Sequence, residues 1–192
     1  SLGTTSLTAL KSYLVGQQYY RRGLVDSTLM AYEAAVAADS TFALAWRGVA
    51  SVYIRTGRES MPEAQAALDK AIRLRKGSSP RDSLLFHGDS LRLAVVRRAP
   101  SPNDPVADIP AVSALFSTLT EATRRYPSDA ELWMELGDAG YHFGHLADRP
   151  DSLSLDAFQR AIALDSMVIV PYVHSQTLAL RLGRYADSAG YA

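Results

Sequence analysis

The 192-residue sequence contains no cysteine, which excludes disulfides, thiolate metal sites and cysteine nucleophiles. It also lacks any run near the ~18 consecutive apolar residues that a membrane-spanning helix needs, so we expect no membrane insertion of this chain. Its 20 basic and 20 acidic side chains give a formal net charge of zero, whereas domains that bind nucleic acid usually carry a basic excess. With 47% apolar residues, the composition is that of a globular protein.

The balanced charge is unevenly distributed along the sequence. Residues 1–98 hold 14 basic and 8 acidic side chains, whereas residues 99–192 hold 6 basic and 12 acidic ones. This dipole would orient a partner of opposite polarity, or a second copy stacked head to tail. We expect either contact to weaken at high salt because mobile ions screen exposed charges.

The sequence contains an internal repeat with a spacing of 34 residues. Residues 16–23 (GQQYYRRG) align with residues 50–57 (ASVYIRTG), so that Tyr19 matches Tyr53. A second amphipathic segment follows each copy, and a third copy of that second segment occupies residues 157–165. Apolar residues three and four positions apart are typical of helices. The pattern predicts nine full helices and a short tenth, with no strand.

Two tryptophans carry a resemblance to a known repeat family. Trp133 begins the segment WMELG, and Trp46 begins the second repeat with Tyr53 at the expected spacing; Pro127 closes the repeat before Trp133. These residues resemble tetratricopeptide repeats. The resemblance implies an all-α protein, a right-handed solenoid of antiparallel helix pairs. It implies one domain, residues 1–192, with four repeats and a partial fifth at about 7–42, 43–76, 79–127, 128–166 and 167–192.

A narrower resemblance rests on two short segments. Residues 6–14 (SLTALKSYL) and 38–45 (ADSTFALA) are similar to repeat regions attached to bacterial serine/threonine kinases and winged-helix regulators. This resemblance implies one region of a larger bacterial regulatory protein. The sequence begins with Ser1 rather than Met and shows no signal peptide, so we expect a fragment or a mature form, and the compartment stays open.

Small residues recur where paired helices should cross. Helices approach to about 8 Å only where small side chains meet. We therefore expect a structural role for a set of glycines and alanines, at which a large residue should push the pair apart. The set consists of Gly16, Ala50, Gly88 and Gly137 on first helices and Ala35, Ala71, Ala122 and Ala161 on second helices.

In such a solenoid the first helices line a concave groove that binds a protein or an extended peptide. Tyrosine and arginine are frequent interface anchors, although each residue alone is as readily a solvated or second-layer side chain. The repeat frame predicts these partner-binding residues: Tyr13, Gln17, Tyr20, Arg21, Arg47, Ser51, Arg55, Met134, Asp138, Tyr141, His142 and Arg181. Further groove positions are Ile54, Val173 and Thr177.

The groove residues favour some ligands over others. Co-chaperone tetratricopeptide proteins grip a terminal carboxylate with Lys and Asn, but the equivalent positions in the first repeat are Tyr13 and Gln17. A chaperone C-terminus is therefore disfavoured, whereas Arg21, Arg47 and Arg55 would suit an acidic peptide. We predict a non-enzymatic scaffold for protein–protein interaction. The alternative is a sensor that holds a small molecule near Tyr141, His142 and the proline-rich segment 99–107.

The sequence shows no motif for catalysis or for cofactor binding, and we predict no enzyme and no cofactor. His142 and His145 have the spacing of helical metal ligands. Gly144 lies between them at a predicted helix end, however, and only Asp138 or Asp148 would come near as a third ligand. We therefore expect no metal site.

Two further features of the sequence concern nucleic acid and self-association. Basic clusters occur at 21–22, 73–76 and 97–98, but we interpret them as solvated faces and expect no nucleic acid. The last helices carry Leu178, Leu182 and Tyr185, which would be left exposed at the end of the solenoid. Self-association through this end is therefore a hypothesis.

Overall fold

A computed structural model describes residues 3–58, 61–97 and 109–191. Every regular element in these residues is helical, with ten α-helices and one 3-10 helix. The chain divides into two compact units, Ser1–Arg97 and Arg98–Ala192. The predicted all-α architecture is confirmed, and the predicted nine helices with a short tenth agree with the described residues. The repeat boundaries and the extent of the domain stay predictions.

The first unit consists of two antiparallel helix pairs and one further helix. Its helices are α1 (Leu7–Arg21), α2 (Val25–Ala38), α3 (Ala43–Arg55), α4 (Pro62–Leu74) and α5 (Pro80–Arg97). α1 packs on α2, α3 packs on α4, and α2 also contacts α3. α5 packs against α3 and α4, so that it covers the second pair.

The second unit consists of one helix followed by two helix pairs. Its elements are α6 (Ile109–Arg125), α7 (Ala130–Phe143), a 3-10 helix (Gly144–Ala147), α8 (Asp151–Leu164), α9 (Ile169–Arg181) and α10 (Tyr185–Ala189). α7 pairs with α8, α8 also packs on α9, and α6 packs on α7 and the 3-10 helix. α7 and α9, the first helices of consecutive pairs, contact each other. The proline-rich segment 99–107 lies outside the described residues.

Glycine ends the first helix of three pairs. Gly23, Gly57 and Gly183 follow α1, α3 and α9 with φ values of 69°, 74° and 72°. Glycine adopts this left-handed conformation without the steric cost that a Cβ brings. The chain then reverses direction into the second helix. The glycine pattern of the sequence therefore corresponds to real helix ends.

All eight predicted crossing residues are buried, as a structural role requires. A Cβ on Gly16 would lie 2.6 Å from the ring of Tyr32, and one on Gly137 would lie 2.6 Å from the ring of Phe158. The structure adds Gly48, where a Cβ would lie 2.8 Å from the opposite side of the Tyr32 ring. Two glycines on α1 and α3 thus enclose one buried tyrosine of α2.

An aromatic side chain anchors the turn before three of the first helices. Trp46 Nε1 donates a hydrogen bond to the Ser40 carbonyl at 2.9 Å, and Trp133 Nε1 donates to the Pro127 carbonyl at 2.9 Å. Tyr172 uses its hydroxyl in the same way, six residues after its acceptor, at 3.2 Å. Each bond fixes the loop relative to the helix that follows, which is a structural role for the motif's opening aromatic.

Asp39 provides a pH-dependent contribution to stability at the turn between α2 and α3. Its carboxylate accepts hydrogen bonds from the Thr4 hydroxyl, and from the Thr41 hydroxyl and backbone N–H at 2.7 and 2.9 Å. These bonds, that from Thr4 first, hold the pKa of Asp39 below its usual value. A carboxylate with a lowered folded pKa stabilises the fold above its unfolded pKa and loses that contribution as the pH falls through the folded pKa.

We therefore expect Asp39→Asn to lower the free energy of unfolding by about 1 kcal/mol at neutral pH. The difference from wild type should shrink as the pH falls from about 4 through the lowered folded pKa, because the wild-type carboxyl takes up a proton first in the unfolded and then in the folded state. Urea denaturation at a series of pH values measures this. Asp156→Asn, an exposed change on α8, is the control. A difference that stays constant down to the lowest pH would contradict the role of the ionised carboxylate.

Candidate functional site

Nine of the twelve predicted partner-binding residues retain accessible surface, and three are buried. The buried side chains belong to Arg47, Met134 and Asp138, at 5%, 3% and 4% exposure. Ile54, a further groove position, is also buried at 5%. The repeat frame predicts which side of a helix a residue occupies, but a neighbouring helix can cover that side.

Arg47 shows this effect most clearly. Its Nε lies 2.6 Å from Asp89 Oδ2, and the two side chains are 6% and 4% exposed. Asp89 comes from α5, which packs on α3. The expectation that Arg47 presents its charge to a partner is therefore corrected: the charge is inside the first unit and is neutralised there.

The remaining positions of the first unit form a polar and aromatic strip on α1 and α3. Gln17 Nε2 donates to the Tyr13 hydroxyl at 3.1 Å and to the Tyr32 hydroxyl at 2.8 Å. On α3, Arg55 Nε donates to Ser51 Oγ at 3.0 Å. Tyr20 is partly exposed and Arg21, in the last turn of α1, is exposed. Arg21 and Arg55 are therefore the predicted groove cations that this unit leaves accessible.

The second unit brings its predicted residues together on α7 and α9. The ring of Tyr141 stacks on the ring of His174, with centroids 4.1 Å apart and planes inclined by 16°. The guanidinium of Arg181 lies 5.0 Å from the Tyr141 ring centroid, and Arg181 Nη1 lies 3.8 Å from Asp151 Oδ2. On α9, Val173 is exposed and Thr177 is partly exposed. We call the surface of Tyr141, His142, His174 and Arg181 the α7–α9 surface.

Asp138 lies at the base of the α7–α9 surface. Its Oδ1 is 3.6 Å from His142 Nε2 and 3.5 Å from His174 Nε2. The Asp138 side chain is 6% exposed, whereas those of His142 and His174 are 47% and 20% exposed. His145, the sequence's suggested companion of His142, is exposed on the 3-10 helix and is not part of this cluster.

The sequence reasoning missed His174 because its position depends on how α9 packs against α7. Residues 138 and 142 are one turn apart, so the spacing alone places them together. No local pattern connects either of them to position 174. The available signal was indirect: His174 lies on the first helix of the next pair, which in a solenoid is the neighbour of α7.

At the end of the chain, the prediction of three exposed apolar residues needs correction. Leu178 is fully buried, at 0% exposure, whereas Leu182 and Tyr185 are 38% and 71% exposed. Leu178 faces inward because α9 is covered by α8 and α10. In the described part of the chain, no helix combines the length and apolar character needed to cross a membrane.

Comparisons with known proteins identify the fold. No protein-family model and no curated protein matches the chain. A solved structure of a thermophilic tetratricopeptide-repeat protein from Thermus thermophilus is similar, with 20% identity, 95% of this chain and 87% of that chain covered, and a TM-score of 0.61. The chain has a tetratricopeptide-repeat fold. The predicted resemblance to tetratricopeptide repeats is thereby confirmed for the fold.

Two other similar solved structures have lower TM-scores. MamA 41-end from Desulfovibrio magneticus RS-1 is 15% identical, with 98% of this chain and 93% of that chain covered and a TM-score of 0.45. Pseudomonas aeruginosa pilF is 14% identical, with 96% and 73% covered and a TM-score of 0.47. Among the described helices, α3, α7 and α9 carry the aromatic anchor, and α1, α3 and α9 are followed by a glycine with positive φ.

Proposed function

We propose that this tetratricopeptide-repeat chain is a non-enzymatic scaffold that binds a protein or an extended peptide along its first helices. The observation that carries the proposal is the α7–α9 surface, where Tyr141 stacks on His174 and has the Arg181 guanidinium 5.0 Å from its ring centroid. Tyr141 is partly exposed and Arg181 is exposed. Tyrosine and arginine held in place by neighbours are the side chains that anchor interfaces. A preordered surface also loses less conformational entropy on binding.

In the first unit, the accessible arginines favour an acidic peptide as the ligand. Arg21 and Arg55 are accessible on α1 and α3, and guanidinium groups form strong charge-assisted bonds with carboxylates. Arg47 does not contribute, because Asp89 neutralises it inside the unit. Reversing the charge of Arg47 would bury two carboxylates together and would test folding rather than binding.

The binding test uses charge reversal at the accessible arginines. We expect Arg21→Glu/Arg55→Glu to weaken binding of an acidic peptide, selected from a displayed peptide library, by at least about tenfold, or ~1.4 kcal/mol. The physical reason is the loss of two charge-assisted bonds together with new repulsion from the peptide. Fluorescence anisotropy of the labelled peptide measures the affinity.

The matched control is Arg73→Glu/Arg75→Glu, which makes the same change in net charge at exposed positions at the end of α4. This control should alter the affinity by no more than about twofold. Equal losses in the two variants would mean that bulk charge, and not the first helices, attracts the peptide. Unchanged binding in Arg21→Glu/Arg55→Glu would refute the acidic-peptide site.

A small-molecule sensor is the second candidate function. A depression lies between α6 and the 3-10 helix, lined by Phe116, Thr120, Glu121 and Arg149 among others. The Arg149 guanidinium lies 4.5 Å from the Phe116 ring centroid, which gives the depression one cationic and one aromatic wall. It differs from the position predicted near Tyr141 and His142. A compound that raises the Tm of wild type but not of Arg149→Ala would support this role.

Two wider expectations stay predictions. The narrower resemblance implies that the chain belongs to a larger bacterial regulatory protein, and its partner would then be a segment of that protein or of a second one. Self-association through the last helices would use the exposed Leu182 and Tyr185. Sedimentation of the wild type against Leu182→Ser/Tyr185→Ser at low and high salt distinguishes apolar from electrostatic self-association.

A further inference from the structure

Three side chains with metal-ligating atoms converge in the second unit. Asp138 and His142 are one turn apart on α7, and His174 comes from α9. One carboxylate oxygen and two imidazole nitrogens all lie within 4.8 Å of one another. The spacing along α7 places Asp138 and His142 next to each other. The packing of α9 on α7 then adds His174 as the third member of the group.

The distances fit a bound transition-metal ion. With metal–ligand bonds of about 2.0–2.2 Å in a tetrahedral site, neighbouring ligand atoms are separated by roughly 3.4 Å. Asp138 Oδ1 lies 3.6 Å from His142 Nε2 and 3.5 Å from His174 Nε2. These separations exceed the usual length of a hydrogen bond between nitrogen and oxygen. The three ligand atoms lie within 4.8 Å of one another, so binding of one ion requires the side chains to rotate closer together.

Aromatic rings from α7 and α8 pack against His174. The Tyr141 ring stacks on His174, and the Phe158 ring centroid lies 5.6 Å from the His174 ring centroid. His142 is half-exposed, so an ion can reach the site from solvent. The Asp138 carboxylate beneath it is buried. Ligands on rigid helices with restricted rotamers lose little entropy when an ion binds.

We propose that Asp138, His142 and His174 bind one divalent transition-metal ion of the zinc class on the α7–α9 surface. Two imidazoles and one carboxylate suit Zn²⁺, Ni²⁺ or Cu²⁺, whereas Mg²⁺ and Ca²⁺ prefer ligand sets made of oxygen atoms. Three protein ligands leave a fourth position for water or for a side chain of a bound partner. This site extends beyond the scaffold function, and its test needs no partner.

The test is isothermal titration calorimetry of the metal-stripped full chain with ZnCl₂ alone, with MgCl₂ as the comparison. We expect binding of one Zn²⁺ per chain and no heat from Mg²⁺. His142→Ala should weaken Zn²⁺ binding by more than about 100-fold, because losing even an outer hydrogen-bond partner of a ligand typically costs 10–100-fold. Substitution with Co²⁺ gives an independent readout, since the visible absorption of a tetrahedral site should disappear in the same variant.

The matched control is His145→Ala, which removes another exposed histidine three positions further along the chain. It should change the affinity by no more than about twofold. His174→Gln should weaken binding as His142→Ala does, and circular dichroism verifies that each variant is folded. Equal losses in His142→Ala and His145→Ala would show adventitious binding to surface histidines. The proposal is overturned by that result, by an absence of Zn²⁺ binding, or by undiminished binding in folded His142→Ala.

Discussion

Replacing Gly137 with valine should lower the free energy of unfolding by about 3 kcal/mol. A Cβ at this position would lie 2.6 Å from Cδ1 and 2.8 Å from Cε1 of Phe158, well inside the ~3.5 Å at which carbon atoms attract. Phe158 is completely buried, so its ring can move aside only by displacing its neighbours. The α7–α8 pair must therefore separate, which also loosens the packing beneath the α7–α9 surface.

The sign of this effect distinguishes overpacking from helix propensity. In an exposed helix interior, replacing glycine stabilises by up to ~1 kcal/mol, so destabilisation here requires the tertiary contact. Urea denaturation followed by circular dichroism gives the free energy of unfolding. Phe158→Leu in the same chain should recover part of the loss, because the shorter side chain makes room. Ala163→Val on the exposed side of α8 is the control, and an equal loss there would contradict the explanation.

Removing the carboxylate of Asp89 should lower the free energy of unfolding by about 3–5 kcal/mol. The pair between Asp89 Oδ2 and Arg47 Nε is 2.6 Å long and both side chains are at least nine-tenths buried. Asp89→Ala leaves a guanidinium in the interior of the first unit without this counter-charge. Burying an uncompensated charge costs more free energy than the ion pair itself contributes. Asp89→Ala should therefore be much less stable than a double variant in which both charged residues are replaced by apolar ones.

The replacement is Arg47→Met/Asp89→Leu, which fills the same volume with apolar side chains. We expect this double variant to regain most of the stability lost by Asp89→Ala. Glu121→Ala provides the contrast, since Glu121 and Arg124 lie 2.8 Å apart but are exposed. Solvent and salt screen such a pair, so its loss should hardly change the urea midpoint. If Asp89→Ala is no more harmful than Glu121→Ala, the buried charge is not what stabilises this part of the first unit.

The helical architecture follows from local patterns, and the sequence was sufficient to predict it. Apolar spacing marks each helix, and Trp46 and Trp133 identify the turns that precede two first helices. The crossing glycines were also predictable, because only small residues permit close approach between helices at Gly16 and Gly137. These properties depend on neighbours within one repeat, so they are already present in the order of the residues.

The candidate sites were only partly predictable. Tyr141, His142 and Arg181 were identified from the repeat frame, but His174 was not. Their mutual geometry depends on the rotation and translation of α9 against α7, which no spacing within a helix specifies. The same limitation made Arg47 look like a groove residue.

The order of residues along the chain therefore decides the helices, their turns and the small residues at the crossings within a helix pair, because all of these arise from contacts within a repeat. Tertiary packing decides which charges remain on the surface. Asp89 neutralises Arg47 from 42 positions away, and α9 brings His174 to the carboxylate of Asp138. Both pairings depend on how whole helices pack, since side chains from separate helices meet only after each helix has its neighbours.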